Sequence, residues 1–216
     1  MRGTHTINIV LMCRQSTGFV LEPGVRFKAH EGWQFRLFVL DEITRHDASA
    51  IVDMVALTLE DCYQTATRTN KSMPTSLLIM SDNTVREAKN QYLLGYLNNL
   101  VAKYKMKMVG LLNLRKSHTH DRLDQCWGIL ARRIAASDRL LSAQTVIDIL
   151  EEELARPGMR AFIGLETMVK VSKLDAVRAW KDFFNPTQQV GLRGGLLEDS
   201  SANHCFISML RKGKFN

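Results

Sequence analysis

Two carboxylates and a pair of histidines near the middle of the chain have the types and spacing that could do chemistry. Asp82 stands in Ser81-Asp82-Asn83, and His118-Thr119-His120 is followed by Asp121 and Asp124. Asp82 comes directly after Leu77–Met80, a short apolar run of the kind buried in the middle of a sheet. In open α/β sheets, ligands gather at the carboxyl ends of strands. Asp124 falls in the first turns of a predicted helix, and its helical row continues through Gly128, Ala131 and Ala135. A row of small side chains would let that helix approach the sheet closely and carry Asp124 towards Asp82. Two carboxylates brought together repel unless a cation lies between them, and Mg²⁺ or Mn²⁺, both oxygen-seeking, suits such a pair. Each acid also has a plain structural reading. Asp82-Asn83 would serve as a turn and N-cap, while Asp121 and Asp124 would suit the positive end of a helix. Their joint placement favours a metal site.

His118 and His120 open a different possibility, because a His-x-His pair on a strand-exit loop is a familiar zinc arrangement. Zinc hydrolases of the metallo-β-lactamase type pair such histidines with an Asp and a third His directly after it. Here Arg122-Leu123 holds those places, and His5, His30, His46 and His204 are all distant. Histidines that merely orient the loop by hydrogen bonds explain the pair equally well. Around these residues lie Arg86, Lys89, Arg115, Lys116 and Arg122. Such cations would keep a polyanion from being repelled by the acids and would contact a phosphate backbone. Arg132-Arg133 reads instead as an ordinary solvated helix face.

The elements that must position these groups follow from periodicity. Ile7–Cys13 and Phe35–Leu40 read as strands, with a further strand-like stretch at Gly18–Leu21. Asp47 is a plausible N-cap for a helix on which Ile51, Met54, Val55, Leu59, Cys62 and Tyr63 recur at helical spacing. After Leu77–Met80 comes a second helix over Val85–Tyr104, then a strand at Met106–Leu112. A third helix carries Leu123, Cys126, Trp127, Leu130 and Ile134 on one face. Ser142 caps a fourth helix, which stops at Arg156-Pro157-Gly158. Beyond it the pattern predicts strands at Arg160–Ile163 and Met168–Val171, a helix over Leu174–Phe184, and a closing strand at His204–Leu210. The alternation of strands and helices argues for a mixed or parallel sheet covered by helices.

Composition sets the outer bounds. The 216 residues suffice for one good core, and 45% hydrophobic with 24% charged residues is ordinary globular usage. No apolar run reaches the length of a membrane span, and the N-terminus lacks the pattern of a secretory signal, so neither membrane nor export is expected. Cys13, Cys62, Cys126 and Cys205 have no paired spacing, which suits buried thiols in a reducing compartment. The expected location is intracellular, nuclear or cytoplasmic. A formal charge of +7 favours a polyanionic partner such as nucleic acid, though weakly when taken alone.

At Asp82-Asn83-Thr84 with Arg86-Glu87-Ala88-Lys89-Asn90, and His118-Thr119-His120 with Asp124-Gln125, the chain resembles a eukaryotic, transposon-associated RNase H-like domain family of largely unassigned function. Its usual pattern is Asp-Asn, Glu-Asn-Lys-Asn, then Gly-His-Thr-His-x-x-x-Asp-Gln. His46-Asp47-Ala48-Ser49, Trp180-Lys181-Asp182-Phe183 and His204-Cys205-Phe206 are similar to further parts of it, so the likeness covers nearly the whole chain. It implies an α/β fold with an RNase H-like mixed sheet, in a core over residues 1–140. A helical and short-strand extension over 141–216 would pack on that core.

The resemblance further implies catalytic acids at Asp82 and Asp124. Two divalent ions held by such acids and by a first-strand acid activate a nucleophile and stabilise the leaving oxygen in phosphodiester chemistry. Three departures weaken the match. Ala88 and Ser117 replace family residues, and no first-strand acid is present. If Ile7–Cys13 is the second strand of that fold, the first would lie before Met1; if it is the first, it carries no acid. Either way the chain is expected to hold an incomplete or degenerate site. Three functions compete: a transposase- or nuclease-like domain, a non-catalytic nucleic-acid-binding or assembly module, and, more faintly, a zinc-dependent hydrolase.

Overall fold

The computed structural model describes residues 7–14, 33–40, 47–68, 70, 73, 75–81, 91–103, 105–113, 122–138, 142–163, 168–174, 176–184 and 205–209. The side chains of β1 and several at element ends fall outside that description. The elements run β1 (Ile7–Arg14), β2 (Trp33–Leu40), α1 (Ala48–Arg68), β3 (Ser76–Ser81), α2 (Gln91–Ala102), β4 (Met108–Asn113), α3 (Arg122–Ala135), α4 (Ala143–Ala155), α5 (Pro157–Ile163), β5 (Met168–Leu174), α6 (Trp180–Phe183) and β6 (Cys205–Met209). The architecture is mixed α/β, mostly helical, with two small sheets. The expected strand at Gly18–Leu21 lies outside the described residues.

The chain divides into two compact units, each assembled from separated segments. One comprises Met1–His46 and His120–Val177, the other Asp47–Thr119 and Arg178–Asn216. The first contains a three-stranded sheet ordered β1-β2-β5, antiparallel between β1 and β2 and parallel between β2 and β5. On one face Phe35, Leu37 and Val39 join Cys126 and Leu130 of α3, Val146, Ile147, Leu150 and Leu154 of α4, and Met159 and Ile163 of α5. Their spacing on α4 is the helical one that turns a single apolar stripe to the sheet. Ser142 caps α4, its hydroxyl accepting from the Thr145 amide at 3.1 Å. Every residue of Phe35–Leu40 is buried, Arg36 included.

The second unit holds a sheet ordered β3-β4-β6, parallel between β3 and β4 and antiparallel between β4 and β6. Helix α2 covers it through Leu93, Leu94, Leu97 and Val101, all buried, and α1 packs on α2. Asp47 starts α1 as expected, its carboxylate accepting from the Ser49 amide at 2.8 Å and the Ala50 amide at 3.3 Å.

Several expectations are corrected. Among the described residues, Leu77–Met80 is not in the middle of a sheet: β3 pairs there with β4 alone, and Leu78 is 59% exposed. Arg160–Ile163 is helical, because Pro157 opens a new helix, where its missing N–H costs nothing, rather than ending chain order. Leu174 closes β5, and the helix expected over Leu174–Phe184 is confined to Trp180–Phe183. Tyr63, expected on the apolar face of α1, is exposed. On α3, Cys126 and Leu130 are buried as read.

Candidate functional site

The parallel pairing of β3 with β4 sets the geometry at the carboxyl end of the second sheet. Ser81 and Asn113 are register partners at the two strand ends, and adjacent strands lie about 4.8 Å apart. The described ends of β3 and β4, Ser81 and Asn113, therefore lie side by side. Asp82, Arg86, Lys89, Arg115, Lys116, His118, His120 and Asp121 themselves lie outside the described residues. Arg122 and Asp124 are the first and third residues of α3, with side chains outside the description. Asp82 and His118 belong to the unit that holds β3 and β4, whereas His120, Asp121, Arg122 and Asp124 belong to the other.

At Gly128 and Ala135 the row expected to carry Asp124 inward makes no close approach among the described residues. A Cβ built on Gly128 meets nothing within 4 Å, and Ala135 is exposed. The face of α3 that packs is the one bearing Cys126 and Leu130, with Trp127 and Ile134 beside them. The small residues are thus no docking stripe at Gly128. Of the two arginines read as a solvated face, Arg132 donates its Nε to the Gly128 carbonyl at 3.0 Å. Arg133 instead lies 3.6 Å from Glu153, with Arg156 on the same carboxylate oxygen at 3.0 Å. Among the described residues, no group of three or more His, Cys, Asp or Glu side chains could hold a metal ion.

The most developed polar cluster among the described residues lies elsewhere, on residues that spacing did not single out. Asp53, which interrupts the apolar run Ile51–Leu59, is 1% exposed. Its carboxylate accepts from the Arg178 guanidinium and from Trp180 Nε1 at 3.0 Å. Arg178 also donates to Glu60 at 2.7 Å and lies over the Trp180 ring, 5.0 Å from its centroid. Burial works against the Arg178 charge, but the bonds to Glu60 and Asp53 outweigh it and raise its pKa. Lys181 bonds to Asp47, and its amide donates to Ser49 Oγ at 3.2 Å. The Tyr96 ring meets Trp180 at 5.2 Å and Phe184 at 6.4 Å, and burial pushes its hydroxyl up to about 12. A Cβ at Gly95 would sit 3.2 Å from the Phe184 ring, so this glycine lets α6 seat on α2. These contacts make the cluster a latch holding the Arg178–Phe184 segment. The free thiol of Cys126 is likewise silent, pushed by burial up to about 12.

Two mixed sheets with helices packed on them place the chain in the mixed α/β class. Within that class it belongs to the family described as a domain of unknown function, DUF7869, whose sequence profile matches residues 24–192. No curated protein and no solved structure matches the chain. Among the described residues, no helix is long and apolar enough to cross a membrane.

Proposed function

We propose that the chain is an RNase H-like domain of transposase or nuclease type with an incomplete or degenerate site, its first-strand acid missing, directed at nucleic-acid phosphodiesters with Mg²⁺ or Mn²⁺. The observation that carries this reading is the parallel β3·β4 pair, with an aspartate immediately past one strand end and the basic, histidine-bearing segment past the other. Ligands of α/β sheets collect at such strand ends. In this reading Asp82 and Asp124 are the metal-binding acids, with Asp121, His118 and His120 as further oxygen and nitrogen donors. Arg86, Lys89, Arg115, Lys116 and Arg122 neutralise the phosphate backbone. The divalent ions would activate the attacking water or hydroxyl and stabilise the leaving oxygen.

Cleavage of labelled DNA and RNA, assayed over a Mg²⁺ and Mn²⁺ titration, tests the reading. Asp82→Ala and Asp124→Ala are each expected to abolish metal-dependent cleavage that the unaltered chain performs. Equal activity in all three proteins removes both acids from the chemistry. Salt-dependent binding without cleavage in any of them supports the non-catalytic binding module instead. Zinc bound stoichiometrically to the purified protein would point to the hydrolase.

A further inference from the structure

The opposite end of the same sheet carries a second, separate concentration of positive charge. The turn between α2 and β4 reads Lys103-Tyr104-Lys105-Met106-Lys107, and all three lysines are exposed. The turn is pinned by its own backbone. The Lys105 and Met106 amides both donate to the Leu100 carbonyl, at 2.9 and 3.1 Å, and the Lys107 amide donates to the Thr75 carbonyl at 2.7 Å. Met106 is buried beneath it. Lysines after a helix often serve only its negative C-terminal end, yet here backbone amides already satisfy the Leu100 carbonyl. No carboxylate among the described residues pairs with the three ammonium groups, and α2, β3, β4 and β6 contain no acidic residue.

β6 runs antiparallel to β4 with Met209 opposite Met108, so β6 ends where β4 begins. The strands advance about 3.3 Å per residue, so this edge stands roughly 17 Å along the sheet from the end that bears Asp82.

The geometry points to this Lys103–Lys107 edge as a docking surface for the phosphate backbone of nucleic acid, distinct from the residues at the carboxyl ends of the strands. The inference rests on the nucleic-acid reading above but not on its metal chemistry. A nucleic acid fits better than an anionic lipid surface. Lipid docking gains from a large apolar anchor beside the charges; Met106 of this turn is buried, and the neighbouring Met108 is only 37% exposed. Three lysines on a backbone-pinned turn offer point charges for phosphates with little ordering cost.

Binding of duplex and single-stranded DNA and RNA by the full chain in EDTA, over a range of salt, tests the assignment. The triple variant K103Q/K105Q/K107Q is compared with R68Q/R132Q/R156Q, which removes the same charge from other exposed positions. The lysine variant should bind about tenfold or more weakly, and its log–log salt slope should flatten by about 2 to 3 on duplex. The arginine control should change less. Wild-type binding with equal losses in both triples overturns the edge and leaves the nucleic-acid reading standing. No binding by the unaltered chain overturns both. Binding to phosphatidylserine vesicles but to no nucleic acid also overturns the edge as stated.

Discussion

The two units solve the same problem differently. Among the described residues, each has three strands with one parallel and one antiparallel pairing. In the first, the central strand β2 is buried on both faces from Phe35 to Leu40. In the second, the strands alternate. Val109, Leu111 and Ile79 are buried on the helix-covered face, while Leu78 and Ile207, which flank Gly110 in the register, are 59% and 57% exposed. Parallel pairing is usually found in sheets covered on both faces, and only the first unit follows that rule at its centre. In the second, α2 packs on the sheet, and the latch ties Arg178 and Trp180 to α1. Similar apolar runs can therefore mean a two-sided core in one unit and a one-sided sheet in the other.

The largest expected effect contrasts the two sheets directly. Phe35→Ala should cost about 3–5 kcal/mol, since it empties a site with no exposed surface to absorb the loss. Leu78→Ala should cost less than about 0.5 kcal/mol. Urea unfolding of both variants measures the difference. A large penalty at Leu78 would mean that the open face is covered in solution, and the contrast would fail.

A smaller effect sharpens the role of polar contacts in the second unit. Burial alone would raise the Asp47 carboxyl, but the bond to Lys181 and the Ala50 and Ser49 amides outweigh it and hold it below its ordinary value of 3.8. A carboxyl lowered in the folded state stabilises the fold above its unfolded-state value and loses that contribution as pH falls through the folded one. Asp47→Ala should therefore cost about 1 kcal/mol near neutral pH and progressively less below about pH 4. A cost that persists unchanged in acid would show that the carboxylate charge does not act there.

What could be read in advance divides along the same line. Strands β1, β2 and β4 and helices α1, α3 and α4 follow from residues a few places apart: apolar spacing, the Asp47 and Ser142 caps, the Cys126–Leu130 face. Edge or centre is not local. It depends on which strand pairs with which, and nothing within Ser-Leu-Leu-Ile-Met-Ser says that, among the described residues, β3 pairs on one side alone. The latch was hidden for the same reason, since Arg178 and Asp53 are 125 residues apart. At Arg160–Ile163 a short apolar run fits a strand or a helix equally, and Pro157 decided it as a helix start. Of the candidate site, Asp82 at the strand exit and Asp124 near the start of α3 were legible as positions. Their convergence depended on an assumption about Gly128, Ala131 and Ala135 that spacing alone could not test.

That assumption supplies the smallest prediction, in the first unit. Glycine within a helix costs up to about 1 kcal/mol relative to alanine, because it loses more backbone freedom on folding. If Gly128 were part of a close-approach stripe, a methyl group there would collide and the protein would lose stability. With nothing within 4 Å of that methyl position, Gly128→Ala should instead raise stability by about 0.5–1 kcal/mol, read as a higher urea midpoint at unchanged slope. A loss of stability would restore the small-residue row as a packing surface. It would also mean that the first unit uses two faces of α3, and that the route proposed for carrying Asp124 inward is open after all.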